Sequence, residues 1–196
     1  MEKILTKATV LIIPGLRDHV ADHWQTLLQA RLVNVRSVPP LATDKLNCEK
    51  RVAAIQAQLE EIEGPVIIVA HSAGVLMTLH WAAKYQHDIQ GVLLVTPPDL
   101  TQNWPENYPS ADTLRNEGWA PLPNQKLPFP SIVAASSNDH LASYVAVEEM
   151  AKRWGSQLVN LGAVGHMNPA AGFGLWTQAE QFIQQLDLVD EHVLLA

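Results

Sequence analysis

The sequence predicts an α/β fold: a mostly parallel sheet of about six strands with helices on both faces. Three observations predict it. Short, continuous, β-branched apolar runs alternate along the chain with longer stretches whose apolar residues recur at helical spacing. Each run stops at turn-forming residues, among them Pro14-Gly15, Pro39-Pro40 and Thr96-Pro97-Pro98. The run Val66 to Val69 enters a tight small-residue turn, Ala70-His71-Ser72-Ala73-Gly74, and passes at once into helix formers. Strands buried on both faces need such uninterrupted apolar runs, and right-handed crossovers then place helices above and below them.

Thr9 to Ile13 is the first strand. Asp22 is expected to cap the following helix, whose apolar positions are Trp24, Leu27, Leu28 and Leu32. Val33 to Val38 reads as the second strand. Thr43 or Asn47 opens the next helix, with Val52, Ile55, Leu59 and Ile62 as its stripe and Gly64-Pro65 as its stop. The strand and helix around Ser72 follow, then a fourth strand, Gly91 to Val95. Residues 97 to 129 carry seven prolines together with Trp104 and Trp119. The segment is too long for a plain connection and reads as a lid-like or binding loop. Ser131 to Ser136 is a fifth strand, Tyr144 to Trp154 a helix closed by Gly155, and Gln157 to Leu161 a sixth strand. A glycine-rich loop leads to a last helix, Leu175 to Leu186.

At 196 residues and 47% hydrophobic content, one domain over residues 1–196 with a sizeable core is expected. The net charge of −7 and the scatter of the 13 Lys and Arg residues argue against nucleic acid or an anionic membrane as partner. The single cysteine, Cys48, allows no internal disulfide and no multi-cysteine metal site. The opening run Ala8 to Ile13 is too short for a secretory core, and no stretch is long enough to span a bilayer, so a cytoplasmic location is expected.

Ligand sites in such sheets lie at the carboxyl ends of the strands, where Gly15, Ser72, Asp99, Asp139 and His166 all fall. The Ser72 turn matches a nucleophile elbow, which needs small residues two before and two after the serine, here Ala70 and Gly74. The bland alternative is a buried serine at an ordinary strand–helix turn. A serine hydroxyl is a weak nucleophile and needs a base, which itself needs an orienting carboxylate. His80, His87, His140 and His166 follow Ser72 before the final residues, and the first two belong to its own helix and point away. His166, in a loop after the sixth strand, is the candidate base. Asp139, after the fifth strand, is the candidate acid, with Asp99 as its rival and a turn aspartate as the bland reading. The backbone N–H groups of Leu16 and Ala73 are the candidate oxyanion donors. Arg17, Trp104, Trp119 and Met167 are candidate pocket residues, although Arg17 and Asp18 also have the option of pairing with each other. His19 and His23 supply too few ligands for a metal.

With these residues in place the chain resembles the small serine hydrolases of the α/β-hydrolase superfamily that include retinoblastoma-binding protein nine and bacterial relatives. The resemblance rests on Pro14-Gly15-Leu16, Asp22-His23-Trp24-Gln25, Val69 to Gly74, Leu93 to Asp99, Leu127 to Ser131, Ala135 to Asp139 and Gly162 to Asn168. It implies an α/β-hydrolase fold with minimal cap, a triad on Ser72, Asp139 and His166, and hydrolysis of small esters, or of amides, without cofactor. Three departures stand out. Arg17 and Asp18 occupy the first loop where glycine is usual, and His140 follows the acid where proline is common. The Leu-x-Cys-x-Glu motif behind retinoblastoma binding is broken here by Lys50, in Leu46-Asn47-Cys48-Glu49-Lys50, so that partner is not expected. Two other functions use the same residues: a ligand- or partner-binding module on this fold, and an acyltransferase in which an alcohol or amine replaces water.

Overall fold

The computed structural model describes residues 3–188; the ends of the expected 1–196 domain lie outside the described residues. Six strands form one parallel sheet: β1 (Thr9–Ile13), β2 (Val35–Ser37), β3 (Val66–His71), β4 (Ile89–Val95), β5 (Ser131–Ala135) and β6 (Gln157–Asn160), in the order β2-β1-β3-β4-β5-β6. Six helices connect and cover them: α1 (Trp24–Arg31), α2 (Cys48–Leu59), α3 (Ala73–Lys84), α4 (Ala111–Asn116), α5 (Tyr144–Trp154) and α6 (Gln178–Asp187). This is an α/β-hydrolase fold.

The period of two along each strand divides the core into two layers. Leu11, Ile13, Val66, Ile68 and Ala70 face α2, α3 and α5, whereas Val10, Ile12, Ile67 and Val69 face α1 and α6. Every residue of β3 is buried, as expected for the middle of a doubly covered sheet. The strand order reverses between β1 and β3, so the loops leaving their carboxyl ends diverge and open a crevice there. That crevice is where the site lies.

Several boundaries differ from the sequence expectation. β2 begins at Val35, because the N–H of Val33 donates to the Ile4 carbonyl (2.9 Å) and the chain bends before joining the sheet. The cap of α1 is His23, not Asp22: His23 holds extended backbone, and its Nδ1 accepts the Gln25 N–H (3.2 Å), while Asp22 is exposed. Asn47, not Thr43, caps α2 by accepting the Lys50 N–H (3.0 Å). The last helix starts at Gln178.

The largest correction concerns residues 97–129. They contain α4, capped by Ser110, whose Oγ accepts the Thr113 N–H (3.1 Å). With only Leu114 buried, this six-residue helix has no apolar period for sequence reading to detect. Beyond it the chain is fastened to the body. The Cys48 N–H donates to the Glu117 carbonyl (2.9 Å) and the Trp119 Nε1–H to the Leu46 carbonyl (2.6 Å). The Trp119 carbonyl meets His80 Nε2 (3.1 Å). Trp119 is therefore fully buried in the layer over α2 and α3 and is no pocket residue. An indole covers so much apolar surface that burial against two helices outweighs a place on a loop.

Candidate active site

The elbow is built where β3 meets α3. Ser72 has φ 56° and ψ −127°, a strained conformation for a residue with a side chain, and its N–H donates to the Val95 carbonyl (3.0 Å). The strain persists because α3 packs hard against the end of β1. A Cβ on Gly74 would stand 2.4 Å from the Ile13 carbonyl oxygen and 2.8 Å from that of Pro14, closer than such atoms approach. Only glycine fits, and its absence of side chain brings the Pro14-Gly15-Leu16 turn beside Ser72.

His166 reaches the serine from the loop after β6. Its Nε2 accepts the Ser72 hydroxyl (2.8 Å), and its Nδ1–H donates to Asp139 Oδ2 (2.8 Å). Both the imidazole and the carboxylate side chains are almost fully buried. The second Asp139 oxygen accepts the Leu141 N–H (2.9 Å), so both oxygens are held. Asn138 joins the two loops: its Oδ1 accepts the Gly165 N–H (2.6 Å) and the Ser136 hydroxyl (3.0 Å). Asp99, the rival acid, instead accepts the Thr101 N–H (2.8 Å) and hydroxyl (2.7 Å) within its own loop.

The remaining sequence candidates divide. Leu16, Ala73, Arg17 and Trp104 line a cleft of about 340 Å³ that Ser72 and His166 also line. Neither the Leu16 nor the Ala73 N–H has an acceptor among the described residues. Met167 is not in this lining; at φ 50° its side chain is fully buried with the α1 and α6 layer beneath the site. Arg17 and Asp18 do not pair with each other. Asp18 is bound by Arg51 of α2, whose Nε also donates to the Lys45 carbonyl (2.8 Å), and the Arg17 guanidinium lies 5.4 Å from the Tyr108 ring centre.

Sequence reasoning missed Arg51, Gln25 and the burial of His23. Arg51 is 4% exposed and shares the stripe of Ile55 and Leu59 at four-residue spacing, so a charge inside an apolar stripe was the available signal. Gln25 sits likewise beside Trp24 and Leu28; its Nε2–H₂ donates to the carbonyls of Ile13 and Val69 (3.1 Å each), clamping the ends of β1 and β3. His71 donates Nε2–H to the His166 carbonyl (2.9 Å), and its ring lies 4.7 Å from that of His23 and 5.1 Å from that of His166.

Burial holds His71 far below the usual imidazole range, and the neighbouring His166 and His23 act in the same direction. His23 is lowered to about 4, first by burial and then by His166 and His19, against an opposing pull from Asp22. The unfolded chain therefore binds more protons than the native state between about pH 4 and 6.5, and stability present above pH 6.5 is lost as pH falls through that window. For His23 the loss is about 2 kcal/mol once solvent screening at its exposed edge is allowed for. Urea unfolding at pH 7.5 and pH 4.5 checks this: His23→Asn, which keeps a capping acceptor, should shrink the difference between the two values, and an unchanged difference would contradict the assignment.

A family model described as serine hydrolase matches residues 10–185. The chain belongs to the serine hydrolase family. Among solved structures this serine hydrolase is similar to a YdeN-like hydrolase from Pectobacterium atrosepticum, at 28% identity and TM-score 0.78 over 96% of this chain and 93% of the other. It also resembles the ydeN gene product of B. subtilis, at 18% identity and TM-score 0.75 over 92% and 98%. A more distant likeness is to a monoacylglycerol lipase from Paleococcus ferrophilus, at 11% identity and TM-score 0.63 over 95% and 96%. No curated protein matches the sequence. Among the described residues, no helix of this serine hydrolase is long and apolar enough to cross a membrane.

Proposed function

We propose that this serine hydrolase cleaves small carboxylic esters, and amides more slowly, through an acyl-serine intermediate. The observation that carries the reading is the unbroken relay from Asp139 through His166 to Ser72, at 2.8 Å for each step, opening into a cleft. Ser72 Oγ attacks the ester carbonyl carbon while His166 Nε2 takes its proton. Asp139 remains a carboxylate, holds the Nδ1–H tautomer and stabilises the imidazolium. The oxyanion is met by the N–H groups of Leu16 and Ala73, the second at the positive end of α3. Collapse expels the alcohol, which takes the proton from His166. Water, activated by His166 in turn, then hydrolyses the acyl-serine and restores the hydroxyl. We place the reaction in the reducing cytoplasm; support comes from a single cysteine, Cys48, buried and unpaired.

A fluorophosphonate probe tests the activated serine directly. Wild type should label stoichiometrically, Ser72→Ala not at all, and His166→Ala at a rate lower by orders of magnitude. Labelling of the Ser72→Ala variant at the wild-type rate, or a folded wild type that does not label, would sink the assignment. The second result would instead favour a ligand-binding protein on this fold.

A further inference from the structure

The charge balance of the cleft points to the class of substrate. Its two ionised side chains outside the histidines are Arg17 and Asp18. The charge of Asp18 is neutralised by Arg51, which is buried behind it. Arg17 has no carboxylate partner among the described residues; its contact is with the face of the Tyr108 ring, at 5.4 Å. Stacking of this kind occupies the flat face of a guanidinium and leaves its edge N–H donors free, which is the geometry that takes a carboxylate with two parallel hydrogen bonds. The Tyr108 hydroxyl in turn lies 3.2 Å from His140 Nε2, and Arg17 is exposed where it lines the cleft. The chain as a whole carries −7, which makes an uncompensated cation in the cleft the more notable. Most of the exposed lining is apolar, from side chains such as Leu16, Val20 and Trp104.

Resting on the esterase reading above, we propose that the natural substrate is an ester carrying a carboxylate, seated so that its carbonyl meets Ser72, its hydrocarbon part lies along the apolar wall and its carboxylate meets Arg17. A phosphate dianion is disfavoured because the lining supplies one unpaired cation rather than two. Arg17 is a specificity residue in this scheme and takes no part in bond making.

Three p-nitrophenyl esters of matched length test it, ending in a carboxylate, a neutral methyl amide and a trimethylammonium group. Wild type should prefer the carboxylate over the neutral ester by about tenfold in kcat/KM, as one charge-assisted contact at a partly solvated site would supply. The preference should fall as ionic strength rises, since the pair is reached by solvent. Arg17→Gln should abolish it, and Arg17→Glu should turn it towards the cationic ester. Each preference is a ratio within one protein, so a variant with lowered stability still reports it. Equal rates on all three esters in wild type, or a carboxylate preference that survives in Arg17→Gln, would overturn the proposal while leaving the hydrolase reading intact. No turnover of any ester together with no fluorophosphonate labelling would overturn both.

Discussion

Ser72→Ala should lower kcat for ester hydrolysis by about 10⁶-fold, leaving the residual acceleration that binding and the oxyanion donors supply without a nucleophile. The size of the effect follows from the arrangement as a unit. His166 has its Nε2 aimed at one oxygen atom and its Nδ1–H already committed to Asp139, so without the hydroxyl the relay has no proton to move. Removing His166 as well should therefore cost little more. Asp139→Asn should be milder but still large, about 10⁴-fold, because the amide can donate to Nδ1 and would favour the wrong imidazole tautomer. Steady-state rates on one activated ester, with thermal melts to show that each variant is folded, check all three. A Ser72→Ala variant within tenfold of wild type would mean that another nucleophile is at work.

Gly74→Ala should be among the most damaging small substitutions in the chain. The added methyl would overlap two carbonyl oxygens of the backbone, Ile13 at 2.4 Å and Pro14 at 2.8 Å, and backbone at the buried end of β1 cannot turn aside as a flexible side chain can. The strain should cost about 3 kcal/mol, which for a domain of this size corresponds to a fall of roughly 6–12 °C in Tm. The damage should also reach catalysis. The only relief is for α3 to move away from β1, and α3 carries Ala73 while the loop after β1 carries Leu16. Separating them opens the pair of donors proposed to face the oxyanion, so kcat should fall even in the fraction that stays folded. A Gly74→Ala protein that melts like wild type would mean that the helix start has room the close packing denies it. The contrast with Ala70 is instructive. That position, two before the serine, carries a methyl that is buried among the apolar residues facing α2 and α3.

Much of this protein was legible in its sequence, for a physical reason. Strands in a doubly covered parallel sheet must be apolar on both sides, so β1, β3, β4 and β5 appear as unbroken runs, and the elbow leaves its small residues at fixed offsets from Ser72. The order of serine, acid and histidine along the chain follows from the order of the strands that carry them, so local signals sufficed to nominate Ser72, Asp139 and His166. What sequence could not decide were the contacts between residues distant along the chain. Whether Asp18 pairs with its neighbour Arg17 or with Arg51 depends on where α2 packs. Whether Trp119 lines a cleft or fills a core depends on where the chain after α4 is fastened. Whether Asp99 or Asp139 meets the histidine depends on which of their loops is tied to the histidine loop, and Asn138 ties that of Asp139 to Gly165. Local sequence determines which groups are capable of chemistry, because capability resides in a side chain and its immediate backbone. Only the tertiary structure decided which of them share a cleft, which are neutralised by a partner from another element, and therefore that Arg17 carries the charge left unanswered there.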